Sequence, residues 1–163
     1  MQFIQATLED LDKIIVLAHK IWNDHYPEII GQEQVDYMLK KMYDAESLKQ
    51  QMLASDLFFL AYPTENLEPI AFISIKELEK GNFFINKFYV DTQTQRSGVG
   101  KLFFEFILRD FNPEVIRLQV NRMNYKAINF YFKNGFVIEK VADFDIGDGY
   151  FMNDFVMIWE SIR

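Results

Sequence analysis

The feature that most constrains this chain is a junction between residues 83 and 111. An apolar stretch, Phe83 to Val90, runs into a polar loop that ends in Gln95-Arg96-Ser97-Gly98-Val99-Gly100. Directly behind it Val99, Leu102, Phe103, Phe106 and Ile107 recur at i, i+3, i+4, i+7 and i+8, the spacing of one wide apolar stripe on a helix. A strand that passes through glycines into an amphipathic helix leaves the helix's first N–H groups unpaired and pointing outward. Gly98 and Gly100 remove side chains at that end. The pattern therefore predicts an anion cradle in which bare amides, the helix dipole, Arg96 and Lys101 hold a phosphate. A plain tight turn into a helix would use the same glycines.

Two familiar phosphate loops fail on specific residues. A P-loop needs Gly at position 95 and Ser or Thr at 102, where this chain has Gln95 and Leu102. A dinucleotide fingerprint needs Gly at 103, where Phe103 stands. The rest of the chain narrows the field further. Its 163 residues fit one domain spanning 1–163, and 17 Phe among them exclude intrinsic disorder. A net charge of −7 disfavours nucleic acid and anionic membranes as partners and suits a neutral or cationic small molecule. Cysteine is absent, which excludes disulfides, thiol catalysis and Cys-based zinc sites. His19 and His25, six apart, lack the four-residue spacing of the common zinc motif, so no metal is expected. The start, MQFIQATLED, has no secretory pattern, and no apolar run approaches the ~18 residues of a membrane span, so a cytoplasmic protein is expected.

Periodicity and turn chemistry predict the element order. Residues 2–6 read as a strand. Thr7 reads as a helix N-cap with Asp10 at the third helical position, and Leu11, Ile14, Ile15, Ala18 and Trp22 follow at helical spacing. Pro27 to Gly31 reads as a break, and two short helices are expected near 32–43 and 45–54. Strands follow at 57–62, 70–78 and 83–90, then a helix over 98–111, a strand over 115–121 and a helix over 124–134 closed by Gly135. Two final strands, 136–146 and 150–159, flank the hairpin signal Gly147-Asp148-Gly149. This is a mixed α/β layout, a central sheet with helices on its faces.

The pattern Gln-x-x-Gly-x-Gly after a strand ending in Tyr89-Val90 resembles the GNAT superfamily of N-acetyltransferases. So does the second unit, in which Leu118-Gln119-Val120-Asn121 precedes Asn124, Ala127, Phe130-Tyr131 and Gly135-Phe136. The resemblance covers residues 83–138. It implies a mostly antiparallel sheet of six to seven strands, splayed in the middle, with helices on both faces. It implies acetyl-CoA as cosubstrate, held by the backbone of Phe88, Tyr89 and Val90 along the pantetheine and by Gln95, Arg96, Ser97, Gly98, Val99, Gly100 and Lys101 at the pyrophosphate. Asn124 would orient the pantetheine and Lys133 could reach a phosphate, although a helix N-cap and a dipole-matched cation explain these two residues as well. Tyr131 would be the general acid that protonates the leaving thiolate. It could equally be an ordinary helix aromatic. Transfer from a tyrosine of pKa about 10 to a thiol of about 8.5 is uphill, so a lowered tyrosine pKa or a simple hydrogen-bonding role is expected. The Val90 N–H is the candidate for polarising the carbonyl.

The expected reaction is direct transfer of an acetyl group to a primary amine of a small cationic acceptor, a polyamine among the candidates. Parts of the N-terminal half (WNDHY, then YMLKKMYDAESLKQQM) resemble the bacterial spermidine/spermine N-acetyltransferases. The acceptor groove is expected between the first helices, with Trp22, Asp24, His25 and Tyr26, and the last hairpin, with Asp143, Asp145, Asp148 and Asp154 around Tyr150. Carboxylates with aromatics suit an ammonium group, and a solvated hairpin would carry the same acids. His25 is a candidate base. A protein N-terminus, lysine, amino acid or antibiotic as acceptor, or a non-catalytic coenzyme A sensor, are the alternatives. Phe155, Met157 and Trp159 on the terminal strand would support either a homodimer or the core.

Overall fold

The run Leu57–Tyr62 is apolar at nearly every position because both of its faces are covered. Phe58 and Leu60 pack into one hydrophobic cluster, with Trp22, Met38 and Leu48, while Phe59 and Ala61 pack into another, with Phe103, Phe106 and Ile107. The computed structural model that shows this describes residues 1–64, 68–93 and 98–162. Its elements are β1 (Gln2–Gln5), α1 (Leu11–His25), α2 (Pro27–Ile30), α3 (Gln32–Met42), α4 (Ala45–Leu53), β2 (Leu57–Tyr62), β3 (Ala71–Glu79), β4 (Asn82–Val90), α5 (Val99–Phe111), β5 (Val115–Asn121), α6 (Tyr125–Lys133), β6 (Val137–Gly147) and β7 (Tyr150–Glu160). Helices α1–α4 cover one face of the sheet and α5 and α6 the other.

The sheet has seven strands in the order β1-β2-β3-β4-β5-β7-β6. All neighbours are antiparallel except β4 and β5, which run parallel. That parallel pairing extends only from Asn82 opposite Val115 to Ile85 opposite Leu118. The next residue explains why it stops. Ile75 pairs with Ile85 and Ser74 with Lys87, so Asn86 is an extra residue, a β-bulge that bends β4 away from β5. The bulge also reverses the alternation of side chains. Phe83 and Ile85 face α5 before it, whereas Lys87 and Tyr89 face the α1–α4 side after it, with Phe88 and Val90 back towards α5.

Several local expectations are met by named contacts. The Thr7 N–H donates to Asp10 Oδ2 (3.0 Å) and the Glu9 N–H to Thr7 Oγ1 (3.3 Å), a capping box that opens a short 3-10 turn and then α1. Asp148 and Gly149 both have positive φ (51° and 80°), as a two-residue type I′ hairpin requires. Two expectations are corrected. Pro27–Ile30 is a short helix, with Pro27 at its first position and the true break at Gly31, whose φ is 82°. On α5, Leu102 is 43% exposed and Phe104 is buried instead, so the apolar stripe is rotated towards Phe136 and Trp159. Met157 is fully buried, and the partly buried Phe155 and Trp159 pack against the α5 cluster from the same face of β7. Among the described residues no helix is long and apolar enough to cross a membrane.

Candidate active site

A cleft of about 670 Å³ opens where β4 and β5 part, and it reaches from the first turn of α5 to α1–α3. One wall is the bent half of β4. The Asp91 N–H donates to Ile70 O (2.8 Å), so pairing with β3 continues past Val90. Backbone groups in a strand alternate between its two edges, so the N–H and C=O of Phe88 and Val90 face the edge that β5 has left.

At the far end Gly98 caps α5 in the left-handed conformation, φ 77°, and a Cβ added there would meet nothing within 4 Å. No acidic residue occupies the first turn of α5 and no described side chain caps it. Lys101, Lys126 and Lys133 line the same cleft, three cations in an acidic protein. Lys101 and Lys133 are exposed, and Lys101 approaches Glu105 only to 3.8 Å. The open backbone and the lysines fit a diphosphate. Lys126 was not among the sequence candidates, yet it carries a readable signal. It sits in the first turn of α6, where the helix dipole disfavours a cation, so a lysine there marks a position that an anionic ligand would favour. Gly100 serves another purpose, because a Cβ there would lie 3.2 Å from the Phe130 ring, so its small size seats α6. Val99 is core. Gln95, Arg96 and Ser97 lie outside the described residues.

Tyr131 stands on the buried face of α6, 7% exposed, between the rings of Phe130 and Phe136. Burial pushes its phenol well above the usual tyrosine range, and neighbouring Tyr26 pushes the same way. The lowered pKa considered from sequence is therefore not what the fold provides. The hydroxyl stays protonated and serves as a hydrogen-bond donor at any working pH. Asn124 is both N-cap and tie. Its Oδ1 accepts from the Ala127 N–H (3.2 Å), its Nδ2 donates to the Tyr26 hydroxyl (3.3 Å), and His25 Nε2 lies 3.2 Å from the same Oδ1. The Ala127 contact fixes which end of the amide is oxygen, so His25 must donate through Nε2 and keeps only Nδ1 to accept a proton.

The acceptor half is aromatic. Trp22 and Tyr26 stack with centroids 4.3 Å apart, and Tyr43 and Tyr89 continue the wall. Burial pushes Tyr26 up to about 12. Asp148 and Tyr150 are not part of the cleft. Asp148 is exposed at the hairpin tip, and Tyr150 packs on Tyr37 at 4.9 Å. Asp24 is also diverted, since its carboxylate accepts from the Thr92 hydroxyl (3.2 Å). Asp143 is paired with Arg122 at 2.8 Å. The single carboxylate lining the cleft among the described residues is Asp154, 5% exposed, which burial and the Asp143 charge push up to about 6 while Arg122 pulls it down.

Lys87 lines the cleft's inner wall. It donates to Gln51 Oε1 and lies over the Tyr43 and Phe58 rings at 5.2 and 5.9 Å. Burial lowers its pKa to about 8, against a smaller opposite pull from Asp56. A depressed lysine pKa means that the folded state holds the proton less well than the unfolded chain. Stability then rises with pH between about 8 and the ordinary 10.5, and the cost is fully present below 8. Lys87→Met is therefore expected to stabilise the protein by about 2 kcal/mol at pH 7, the cost of the buried charge less the hydrogen bond that Gln51 loses, and the advantage shrinks as pH approaches 10.5. Urea unfolding at the two pH values checks this, and equal stability of variant and wild type at pH 7 refutes it. No group of three or more His, Cys, Asp or Glu that could hold a metal occurs among the described residues.

The comparisons with known proteins agree with this geometry. A spermidine N(1)-acetyltransferase from Thermoplasma acidophilum is 28% identical over 143 residues, covering 83% of this chain and 87% of that protein. The crystal structure of a PaiA N-acetyltransferase from the same organism, in complex with coenzyme A, superposes with a TM-score of 0.78 at 26% identity, covering 98% of each chain. The ribosomal-protein-S18-alanine N-acetyltransferase of Escherichia coli shares the fold, with a TM-score of 0.73 at 15% identity over 98% of this chain and 92% of that one. Residues 28–144 match the acetyltransferase (GNAT) domain, and with a sheet split at its one parallel pair and a cleft that ends on the N-terminus of α5, the chain belongs to the GNAT family of acetyltransferases.

Proposed function

We propose that the protein transfers the acetyl group of acetyl-CoA to the primary amine of a small cationic acceptor, with polyamines the leading class. The observation that carries this reading is the continuity of one cleft. It joins the opened edge of β4, the bare end of α5, the Tyr131 hydroxyl and an aromatic wall with one carboxylate. Acetyl-CoA supplies an acyl group activated as a thioester. The backbone of Phe88 and Val90 would hold the pantetheine arm, and the amides from Gly98 to Lys101, with Lys126 and Lys133, the diphosphate. Tyr131 holds its proton at the hydroxyl and offers it to a leaving sulfur. The Trp22 and Tyr26 rings suit an ammonium group through cation–π attraction, and the named activity of the Thermoplasma acidophilum relative supports the polyamine class.

Free-thiol release from acetyl-CoA, followed with a panel of spermidine, spermine, free amino acids, a peptide with an open N-terminus and an aminoglycoside, tests the reading. Release is expected to rise above the amine-free rate with spermidine. Release with peptides or amino acids alone would reassign the acceptor. Coenzyme A binding without release on any amine would make the protein a sensor.

A further inference from the structure

Asp154 is a residue that packing alone does not call for. It lies mid-strand in β7, opposite Asn121 on one side and Ala142 on the other, between Met152 and Val156. Aspartate is depleted in strands, and a carboxylate 5% exposed costs free energy unless it is paired. The nearby guanidinium compensates it only in part: Arg122 forms its ion pair with Asp143 and pulls the Asp154 carboxyl down by less than burial pushes it up. The Asp154 side chain lies on the same face of β7 as Met152, which packs into the α1–α4 cluster, and it lines the cleft close to Tyr26. His25 is the rival group, and its Nε2 proton is already given to Asn124.

We propose that Asp154 is the catalytic proton acceptor, anchoring the acceptor's ammonium group and then deprotonating it. This rests on the N-acetylation reading above and adds a named base to it. The proton leaves nitrogen for a carboxylate oxygen of Asp154, and the freed lone pair forms the new C–N bond as the C–S bond breaks with its electrons on sulfur. The second nitrogen proton replaces the one that Tyr131 gives to sulfur, and Asp154 returns its proton to solvent. The charged and titratable groups that act on this carboxylate are Tyr26 at the end of α1, Arg122 after β5 and Asp143 on β6, and His25 and Tyr131 line the same cleft. A carboxyl raised towards pH 6 is ionised and able to accept at pH 7.

The test is a pH profile of spermidine-dependent thiol release for wild type, Asp154→Asn and His25→Gln, with coenzyme A binding by calorimetry and thermal unfolding of each protein. Wild type is expected to show a rate that rises with pH to a plateau, with its midpoint near 6. Asp154→Asn is expected to lose about 100-fold in turnover and that rising limb. Coenzyme A affinity should stay intact, and the melting temperature at pH 7 should not fall, because a buried charge has been removed. A merely structural carboxylate would instead lose stability with activity. If Asp154→Asn fails to fold, the wild-type and His25→Gln profiles decide, and loss of the limb in His25→Gln overturns the proposal. It is overturned too if Asp154→Asn keeps both rate and limb, while thiol release itself leaves the N-acetylation reading standing. Wild type that releases no thiol with any amine brings down both.

Discussion

Replacing Tyr131 by Phe is expected to lower turnover by ~10²–10⁴-fold while leaving coenzyme A affinity nearly unchanged. The change removes one oxygen from a side chain whose ring is held by Phe130 and Phe136. No hydrogen bond from another described residue fixes that oxygen, so little stability is lost with it. What is lost is a donor that burial keeps protonated. Because the phenol lies above the ordinary tyrosine range, full proton transfer to a thiolate is uphill in the resting site. The transfer is driven as negative charge gathers on sulfur and the proton lost by the acetylated nitrogen replaces the one the phenol gives. The sign of the pKa shift has a consequence that can be measured. A tyrosine lowered towards neutrality would put a falling limb into the rate between about pH 8 and 9, whereas a raised one leaves that region flat. Calorimetry with coenzyme A and thiol release across pH 7–9.5 check both parts. Undiminished turnover in the variant would remove Tyr131 from the chemistry.

Most of the fold was legible because its elements repeat at their own periods. The strand at 115–121 and the one at 57–62 have the expected bounds, the first marked by alternation, the second by a continuous apolar run, and both by flanking turn residues. The glycine-punctuated hairpin and the Thr7 cap were legible because each is a local conformational demand. The site was legible only where the chemistry is local in sequence, at Gly98 and along α6. What escaped depends on partners far along the chain. The Asn86 bulge exists only in the register between β3 and β4, and without it Lys87 would read as an exposed strand lysine. The bulge splits the sheet, buries Lys87 and leaves the backbone edge of Phe88 and Val90 along the cleft. Asp154 was visible as one acid among four near the hairpin. The register of β7 against β5 and β6 carries it six residues from Asp148, to the cleft and away from the hairpin tip. The acceptor end is thus written in strand pairing, which no window of the sequence displays.

Gly98→Glu is expected to weaken coenzyme A binding about a thousandfold, with the fold retained. Two effects act at this position and they separate cleanly. The first is strain, since φ of 77° costs an L residue roughly 1–2 kcal/mol. That cost is the same with and without coenzyme, so it lowers stability and not affinity. The second is charge. A carboxylate at the N-terminus of α5 is welcome to the helix itself, because it satisfies the same amides and the same end of the dipole that a diphosphate would use. The variant therefore supplies its own anion to the cradle and repels the incoming one. At about 4 Å and an effective dielectric near 20, like charges repel by about 4 kcal/mol, which is the thousandfold. Gly98→Ala isolates the strain. Its methyl group would meet nothing within 4 Å, so it is expected to lose stability with affinity held within about tenfold. Titration calorimetry of the two variants side by side distinguishes a backbone cradle from a mere turn. If the glutamate variant binds coenzyme A as tightly as the alanine variant, the diphosphate does not sit on the end of α5, and the cleft's orientation must be reversed.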